Sequence, residues 1–298
     1  MRRSYVFLAA AMFGAAPAAA QQDMSKVEIK VERLAPGVAV LFGAGGNIGL
    51  SYGDDGNVLV DDQFAPLTTK ILAAVKSIDP DPVKFVVNTH WHGDHSGGNE
   101  NLGKAGAVIV AHDNVRRRMS VDQFSKRFGK TAASPKAALP AVTFGQDVTL
   151  HLNGDELQTI HVRNAHTDGD SLIYWKKAKV LHMGDTFFHK VSLPFIDLES
   201  GGTIDGAIAA VRAALALAAP DAKIIPGHGP VATRGDLDAY LAMLVDVRGK
   251  VASAKAAGQS LAQIKAANPA KQYEVAGGFI LADAFVEAVH DSIAAMPR

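Results

Sequence analysis

Three histidines and an aspartate lie within six consecutive positions, and this segment constrains the fold more than any other part of the chain. Residues 89–99 read THWHGDHSGGN and follow an apolar run, Phe85-Val86-Val87, that predicts a buried strand. Packing does not require such a cluster, and its chance occurrence is on the order of one in a thousand. Because neutral imidazole and carboxylate groups are good zinc ligands, the segment predicts a metal site at a strand end.

The spacing within the segment indicates how its ligands are divided. His90 and His92 are two residues apart, so in an extended chain both side chains project to the same side. Asp94 and His95 follow at a turn that can direct them toward a second ion. The neighbouring glycines permit such a turn without steric cost.

Three further candidates each follow a predicted strand, where loops held by a sheet commonly present ligands. They are His166 in NAHTDGDS, Asp185 in HMGDT and His228 in PGHGP. Each is a weak signal alone, but their order after the histidine-rich segment predicts one shared site.

The composition of the chain limits which partners and which metal ligands it can have. The chain has 298 residues, 48% of them hydrophobic, and its 30 basic residues balance 30 acidic ones. It can therefore bury a substantial core, and its charge does not favour nucleic acid as a partner. The absence of cysteine excludes disulfides, thiolate metal ligands and a cysteine nucleophile. We expect a small-molecule substrate, with any metal held by histidine and carboxylate side chains.

Residues 1–20 are expected to form a cleaved signal peptide. Arg2 and Arg3 precede an apolar run, and small residues follow it before Gln21. The run is short for a helix that spans a bilayer, so no stable membrane anchor is expected. This interpretation places a single mature domain, residues 21–298, in the periplasm and leaves the choice between Sec and twin-arginine export open.

The hydrophobic pattern predicts an α/β fold built from two similar halves. The first half has a strand meander up to residue 60, a helix from Pro66, strands at 85–87 and 108–110, and a basic helix over 115–124. The second has strands at 148–152, 157–162, 171–174, 180–182 and 223–225 and helices over 204–217, 236–257 and 277–295. Two mixed sheets, each with helices on one side, predict a four-layer αββα sandwich.

The ordered set of H-x-H-x-D-H, one histidine, one aspartate and a final histidine resembles the metallo-β-lactamase superfamily, which has this αββα fold. The resemblance covers essentially the whole mature chain and implies two zinc ions per chain. The first ion would be bound by His90, His92 and His166, the second by Asp94, His95 and His228, and both by Asp185. Asp61 matches an aspartate that supports the ligands from behind, with a strand-end cap as its alternative role.

Two zinc ions in one site favour hydrolysis. They lower the pKa of a shared water from that of bulk water to about 7, and they polarise a substrate carbonyl. The resulting hydroxide would attack that carbonyl, with Asp94 as the catalytic residue that orients it.

Export favours a β-lactamase among the activities of the superfamily, because penicillins act on periplasmic enzymes. The hypothesis is an exported di-zinc hydrolase that opens the β-lactam ring of penicillin-type antibiotics and so confers resistance. The commonest β-lactamase ligand set includes a cysteine, which this chain lacks, so a lactonase or a glyoxalase II-like thioesterase is the alternative. A non-catalytic zinc-binding scaffold would be marked by lost ligands, whereas all seven positions are filled.

Loops above the metals are expected to contact the substrate. Residues 42–47 read FGAGGN and resemble the mobile flap of the β-lactamases, which makes Asn47 a candidate contact. A long hairpin turn is the alternative. His189 and Lys190 are candidates for pairing with a substrate carboxylate, although a solvated surface charge is an alternative for Lys190.

Overall fold

The computed structural model of the chain describes residues 23–293, so the expected signal peptide lies outside the described residues. The strands are β1 Lys30–Ala35, β2 Val38–Phe42, β3 Ile48–Ser51, β4 Asn57–Val60, β5 Val83–Val87, β6 Val108–His112, β7 Gln123–Ser125, β8 Gly129–Thr131, β9 Val142–Phe144, β10 Asp147–Leu152, β11 Asp155–His161, β12 Ser171–Trp175, β13 Val180–His182, β14 Lys223–Ile225 and β15 Ala232–Thr233. The α-helices are α1 Thr68–Lys76, α2 Gly93–Ser96, α3 Asn99–Lys104, α4 Asp113–Met119, α5 Ile204–Leu217, α6 Arg234–Ala256, α7 Leu261–Ala267 and α8 Ala282–Ser292. Within residues 23–293, no helix combines the length and the apolar character needed to cross a bilayer.

The strands form two large sheets and a small hairpin. The sheet orders are β1-β2-β3-β4-β5-β6-β9 and β10-β11-β12-β13-β14-β15, and the hairpin consists of β7 and β8. Strands β4, β5, β6 and β9 pair in parallel, as do β13 and β14, and the other pairs are antiparallel. Parallel neighbours need crossover connections, which α1 supplies between β4 and β5 and α5 supplies between β13 and β14.

The two sheets pack face to face around an apolar layer that both contribute. Trp175 of β12 is fully buried there, and a Cβ atom added to Gly49 of β3 would lie 2.6 Å from its indole ring. The glycine therefore makes room for the tryptophan of the opposite sheet. Helices α1 and α3 cover the outer face of the first sheet, and α5, α6 and α8 cover that of the second. This arrangement confirms the predicted αββα sandwich.

Two predicted helices were wrong at their ends. The basic helix predicted over 115–124 ends at Met119, and Phe124 lies in β7. The helix predicted over 277–295 begins only at Ala282, because Gly277 has a positive φ of 73° that a helix cannot include. The structure also has a short helix, α7, that the sequence reading missed.

Candidate metal centre

The predicted ligands lie at one edge of the two sheets, in the loops that follow their strands. The donor atoms form two groups, and within each group all atoms lie within 4.8 Å of one another. The first group, called group 1, consists of His90, His92, His166 and Asp185. The second, called group 2, consists of Asp94, His95 and His228. The structure thus brings all seven residues together.

Local backbone geometry places the H-x-H-x-D-H side chains in both groups. The chain is extended at His92, and the short helix α2 then begins at Gly93, so that Asp94 and His95 turn away from the first two histidines. At two glycines the backbone lies directly against a predicted ligand. A Cβ atom at Gly46 would overlap the His95 ring, and one at Gly227 would overlap the Asp185 carboxylate. Glycine is required at both positions for this reason.

In group 1, ring nitrogens point at one another across a short gap. His92 Nδ1 lies 2.9 Å from His166 Nε2, which lies 3.6 Å from Asp185 Oδ2. His90 Nε2 is buried and has no hydrogen-bond partner within residues 23–293. A buried nitrogen without a partner is costly, and a cation among these atoms would satisfy it. The donors of group 1 therefore fit a metal ion.

In group 2, two imidazoles and the Asp94 carboxylate converge with the Asp185 carboxylate of group 1. His95 Nε2 lies 3.3 Å from His228 Nε2, and Asp185 Oδ1 lies 3.0 Å from the first nitrogen and 3.3 Å from the second. Asp94 Oδ2 lies 3.3 Å from His228 Nε2. Asp185 therefore turns one oxygen toward each group.

Hydrogen bonds on the far side of the rings set the tautomer of two histidines. The Nδ1 atom of His95 donates to Asp61 Oδ2 at 2.7 Å, and that of His166 donates to the Phe195 carbonyl at 2.7 Å. Because Nδ1 carries the proton in each neutral ring, Nε2 offers its lone pair to the site.

Asp61 is fully buried, and its backbone has a positive φ of 63°. Its carboxylate accepts hydrogen bonds from three groups. Besides His95, these are the backbone N–H of Thr89 at 2.8 Å and the Thr89 hydroxyl at 2.7 Å. Since that hydroxyl donates to Asp61, its oxygen accepts from His90 Nδ1 at 3.0 Å. These contacts place Asp61 behind two predicted ligands, in the position that the family resemblance implies for it.

A comparison with known protein families decides to which family the chain belongs. The family described as the metallo-beta-lactamase superfamily matches residues 42–228, a range that contains every member of groups 1 and 2. The chain belongs to the metallo-β-lactamase superfamily. It is a superfamily hydrolase whose histidine and aspartate side chains form a site able to bind metal.

Solved structures share the fold of this superfamily member at low sequence identity. The metallo-β-lactamase from Pontibacter korlensis is 21% identical, with a TM-score of 0.59 over 73% of this chain and 99% of its own. The DIM-1 metallo-β-lactamase is 18% identical, with a TM-score of 0.57 over 74% and 98%. The sec-alkylsulfatase Pisa1 from Pseudomonas sp. is 19% identical, with a TM-score of 0.66 over 88% and 50%.

One curated relative is matched over part of its length. The 2,4-dinitroanisole O-demethylase subunit alpha from Nocardioides sp. (strain JS1661) is 26% identical over 140 residues, which are 46% of this chain and 39% of that protein. The match therefore spans well under half of the relative.

The two groups of this metallo-β-lactamase superfamily member differ in charge. Burial lowers the pKa of His90 well below its usual value and that of His166 to about 4, so both rings are neutral at pH 7. In group 2, burial opposes the charged form of His228, but the Asp185 and Asp94 carboxylates together outweigh it and raise the pKa of His228 to about 9.

Asp94 shows the opposite shift. Burial alone would raise its pKa, but the neighbouring His95 charge and the hydrogen bond from His228 lower that pKa to about 2. The carboxylate is thus ionised and requires positive charge beside it. Protons on the histidines can supply this charge, and a divalent cation can supply it in their place.

Two of the three predicted substrate contacts, Asn47 and His189, lie against the His228 turn. The Asn47 side-chain amide donates to the carbonyls of Pro226 at 2.9 Å and Gly229 at 2.8 Å, so its N–H groups are already used. His189 is buried and its Nδ1 lies 2.9 Å from the carbonyl of Pro230. Asn47 and His189 therefore hold this turn in place, and their substrate contacts stay predictions.

Lys190 is exposed, and the nearest carboxylate to its Nζ atom is that of Asp236, at 3.7 Å. The long distance to Asp236 and the exposure of Lys190 are typical of a solvated surface charge, which is the alternative role given for Lys190 above. Pairing of Lys190 with a substrate carboxylate also stays a prediction.

Sequence reasoning missed Asp197. This buried carboxylate accepts a hydrogen bond from His92 Nε2 at 2.9 Å and one from the Ser200 hydroxyl at 2.6 Å, while Trp91 Nε1 donates to the Ser200 oxygen at 3.2 Å. Burial opposes its ionisation, but the hydrogen bonds from His92 and Ser200, with the electrostatic effect of the nearby imidazoles, together lower the pKa of Asp197 to about 2. Asp197 therefore holds the proton of His92 on Nε2 and leaves Nδ1 free for the site.

Replacing Asp197 with alanine is expected to weaken zinc binding by about 10- to 100-fold, because His92 loses the acceptor that orients its ring. Competition against a chelator of known zinc affinity measures this effect. Glu199→Ala, two positions away on the exposed face, is the matched control and should bind zinc like the parent. Equal zinc affinity in Asp197→Ala and the parent would show that the contact does not orient the ligand.

Proposed function

We propose that this superfamily hydrolase is a di-zinc enzyme of the periplasm that opens β-lactam rings of penicillin type, with lactones and thioesters as alternative substrates. One observation carries the two-ion proposal. Asp185 Oδ1 lies within 3.3 Å of His95 and His228 nitrogens, and its Oδ2 faces His166 at 3.6 Å. A buried carboxylate that faces two donor groups suits two neighbouring cations that share it.

The donor set suits zinc. Imidazole nitrogens and carboxylate oxygens, with no thiolate, are borderline-to-hard ligands that zinc commonly takes, although manganese and iron accept the same set. When bound, zinc supplies Lewis acidity, which polarises a carbonyl oxygen and brings the pKa of a water close to 7. The His90 Nε2 atom, which has no partner among the described residues, and the close approach of His92 Nδ1 to His166 Nε2 support a resident metal.

The open side of the site is formed by Asp94 and His228. Their side chains are 29% and 24% exposed, whereas the side chains of His166 and Asp185 are 1% and 5% exposed. A substrate therefore approaches from group 2. Asp94, ionised at neutral pH, accepts a hydrogen bond from the attacking water and orients it.

The filled donor set argues against a non-catalytic scaffold. Such a scaffold has no need of an ionised, half-accessible carboxylate beside buried donors. The periplasmic location is proposed from the pattern of residues 1–20, and the choice of β-lactam follows from that location. The sulfatase and O-demethylase activities named for two relatives add sulfate esters and aryl methyl ethers to the substrates worth testing.

The test uses protein that begins at Gln21, loaded with zinc, and a panel of a chromogenic β-lactam, a lactone, a thioester, a sulfate ester and an aryl methyl ether. We expect chelator-sensitive β-lactam hydrolysis with kcat/KM of about 10⁴ M⁻¹s⁻¹ or more. Turnover confined to another substrate would reject the β-lactam assignment. Failure on the whole panel, in protein shown to bind two zinc ions, would contradict the catalytic proposal.

A further inference from the structure

An aromatic wall stands beside the candidate metal centre and is formed by Phe128, Phe195 and Phe279. The Phe195 ring stacks on the His92 ring with centroids 5.9 Å apart, and the Phe128 ring lies 6.3 Å from the same imidazole. Phe279 stacks on Phe128 at 6.2 Å and meets Phe195 edge-on at 6.1 Å. The wall therefore begins at a predicted metal ligand and extends outward from it.

The outer rings of this wall are exposed to solvent. Phe128 is 54% exposed and Phe279 is 50% exposed, although both are large apolar side chains. They come from the hairpin of β7 and β8 and from the segment before α8, so distant parts of the chain converge to form one surface. Adjacent exposed aromatic groups next to a reactive site are typical of a ligand-binding surface.

Arg127 crosses the wall and carries an unpaired charge. Its guanidinium carbon lies 4.0 Å from the Phe279 ring centroid and within 6 Å of the other two centroids. One Nη atom donates to the Phe279 carbonyl at 2.8 Å, which ties the hairpin to the segment before α8. Within residues 23–293 Arg127 forms no ion pair, whereas Arg118 pairs with Asp168 at 2.7 Å.

A guanidinium group has five N–H donors in a planar fork that matches a carboxylate or sulfonate. Within residues 23–293, a single guanidinium donor of Arg127 is used, in the hydrogen bond to the Phe279 carbonyl. The wall therefore offers an apolar surface and an anion-binding group side by side, close to His92. A ligand that has both an apolar part and a negative charge would match this combination.

We propose that the aromatic wall and Arg127 bind the part of the substrate that is not cleaved, and that preferred substrates are anions with an apolar arm. This inference deepens the proposed function and rests on it. The arm packs on Phe128 and Phe279, the negative charge pairs with Arg127, and the group to be cleaved lies on the His92 side of the wall.

A second copy of the chain is the other occupant to consider. Burying the wall against an apolar surface would also bury the unpaired Arg127 charge, which is costly. A small anion avoids this cost because it brings its own counter-charge. The structure therefore favours a substrate over a dimer contact.

The first test compares p-nitrophenyl esters of acetate, octanoate and suberate on the zinc-loaded enzyme, the last with a free terminal carboxylate. We expect kcat/KM to be about tenfold higher for octanoate than for acetate, and KM to be lowest for the suberate monoester. In Phe128→Ala and Phe279→Ala, the octanoate-to-acetate ratio should fall about tenfold. Arg127→Gln should remove the suberate preference, and Arg127→Lys should restore part of it.

The matched control is Phe124→Ala. Phe124 lies on the same hairpin and is 68% exposed, but it makes no ring contact with the wall within the described chain. This variant should keep the parental ratio. Turnover with an unchanged ratio in Phe128→Ala and Phe279→Ala would overturn the wall alone, whereas failure of the parent enzyme on the substrate panel of the proposed function, despite bound zinc, would contradict the proposed function.

A second measurement is independent of catalysis. Anilinonaphthalenesulfonate combines an aromatic body with one negative charge, and its fluorescence reports binding to the zinc-loaded protein. We expect Phe279→Ala and Arg127→Gln each to weaken its binding at least about fivefold and Phe124→Ala to leave it unchanged. Equal affinity in all of these variants, or a dimer that Phe279→Ala dissociates, would overturn the inference.

Discussion

Replacing Asp94 with alanine is expected to lower kcat/KM by about 10³-fold or more and to leave the fold intact. The loss combines a missing carboxylate at the open side of the site with the missing acceptor for the attacking water. Asp94 Oδ2 lies 3.3 Å from His228 Nε2 and 3.7 Å from His95 Nε2, so its removal also weakens group 2 as a metal site. Steady-state kinetics on the best substrate, with zinc content measured in parallel, gives both effects.

The control for this variant is Glu100→Ala. Glu100 is a partly exposed acid on the neighbouring helix α3 that pairs with Lys104 at 2.6 Å. Exposed pairs of this kind contribute little to stability, and the variant should match the parent in turnover and in zinc content. Parental turnover in Asp94→Ala would refute the role given to Asp94, whatever the substrate is.

Replacing Asp185 with asparagine is expected to reduce bound zinc from two ions per chain to one or fewer and to lower kcat/KM at least about 100-fold. Asparagine has nearly the same shape as aspartate but no charge, and one of its terminal groups is a hydrogen-bond donor. It cannot offer an oxygen to each group, and it has no negative charge to balance the positive charge of the metal ions. Equilibrium dialysis followed by elemental analysis counts the ions.

Asp205→Asn is the control for the Asp185 variant. Asp205 is an exposed carboxylate on α5 that pairs with Arg248 and belongs to neither donor group. Two tightly bound zinc ions in Asp185→Asn would contradict the proposal that this carboxylate is shared. One ion in the parent itself would contradict the two-ion count.

The sequence predicted the fold because its elements have clear periodicity. The helix predicted over 204–217 is α5, and the strand predicted over 180–182 is β13, with the same bounds. The predicted end of the basic helix was wrong because residues 123–131, after Met119, pair as a hairpin. This pairing depends on contacts across the turn before Gly129. Pairing of that kind is weakly encoded in any single segment.

The sequence also predicted which side chains meet at the site, since four of the seven, His90, His92, Asp94 and His95, lie in one strand-end motif. It did not predict Asp197 or the aromatic wall. Asp197 is 105 positions from the His92 ring that it contacts, and no spacing rule connects them. The wall likewise joins Phe128 to Phe279, which are far apart in the sequence.

The sequence by itself determined the αββα architecture and the histidine and carboxylate donors, because hydrophobic periodicity and ligand chemistry are properties of short segments. Only the tertiary structure decided which nitrogen of each ring faces the site. In His90, His92, His95 and His166 the opposite nitrogen is fixed by Thr89, Asp197, Asp61 and the Phe195 carbonyl. Most of these partners come from remote segments, and a tautomer depends on its partner's position in space.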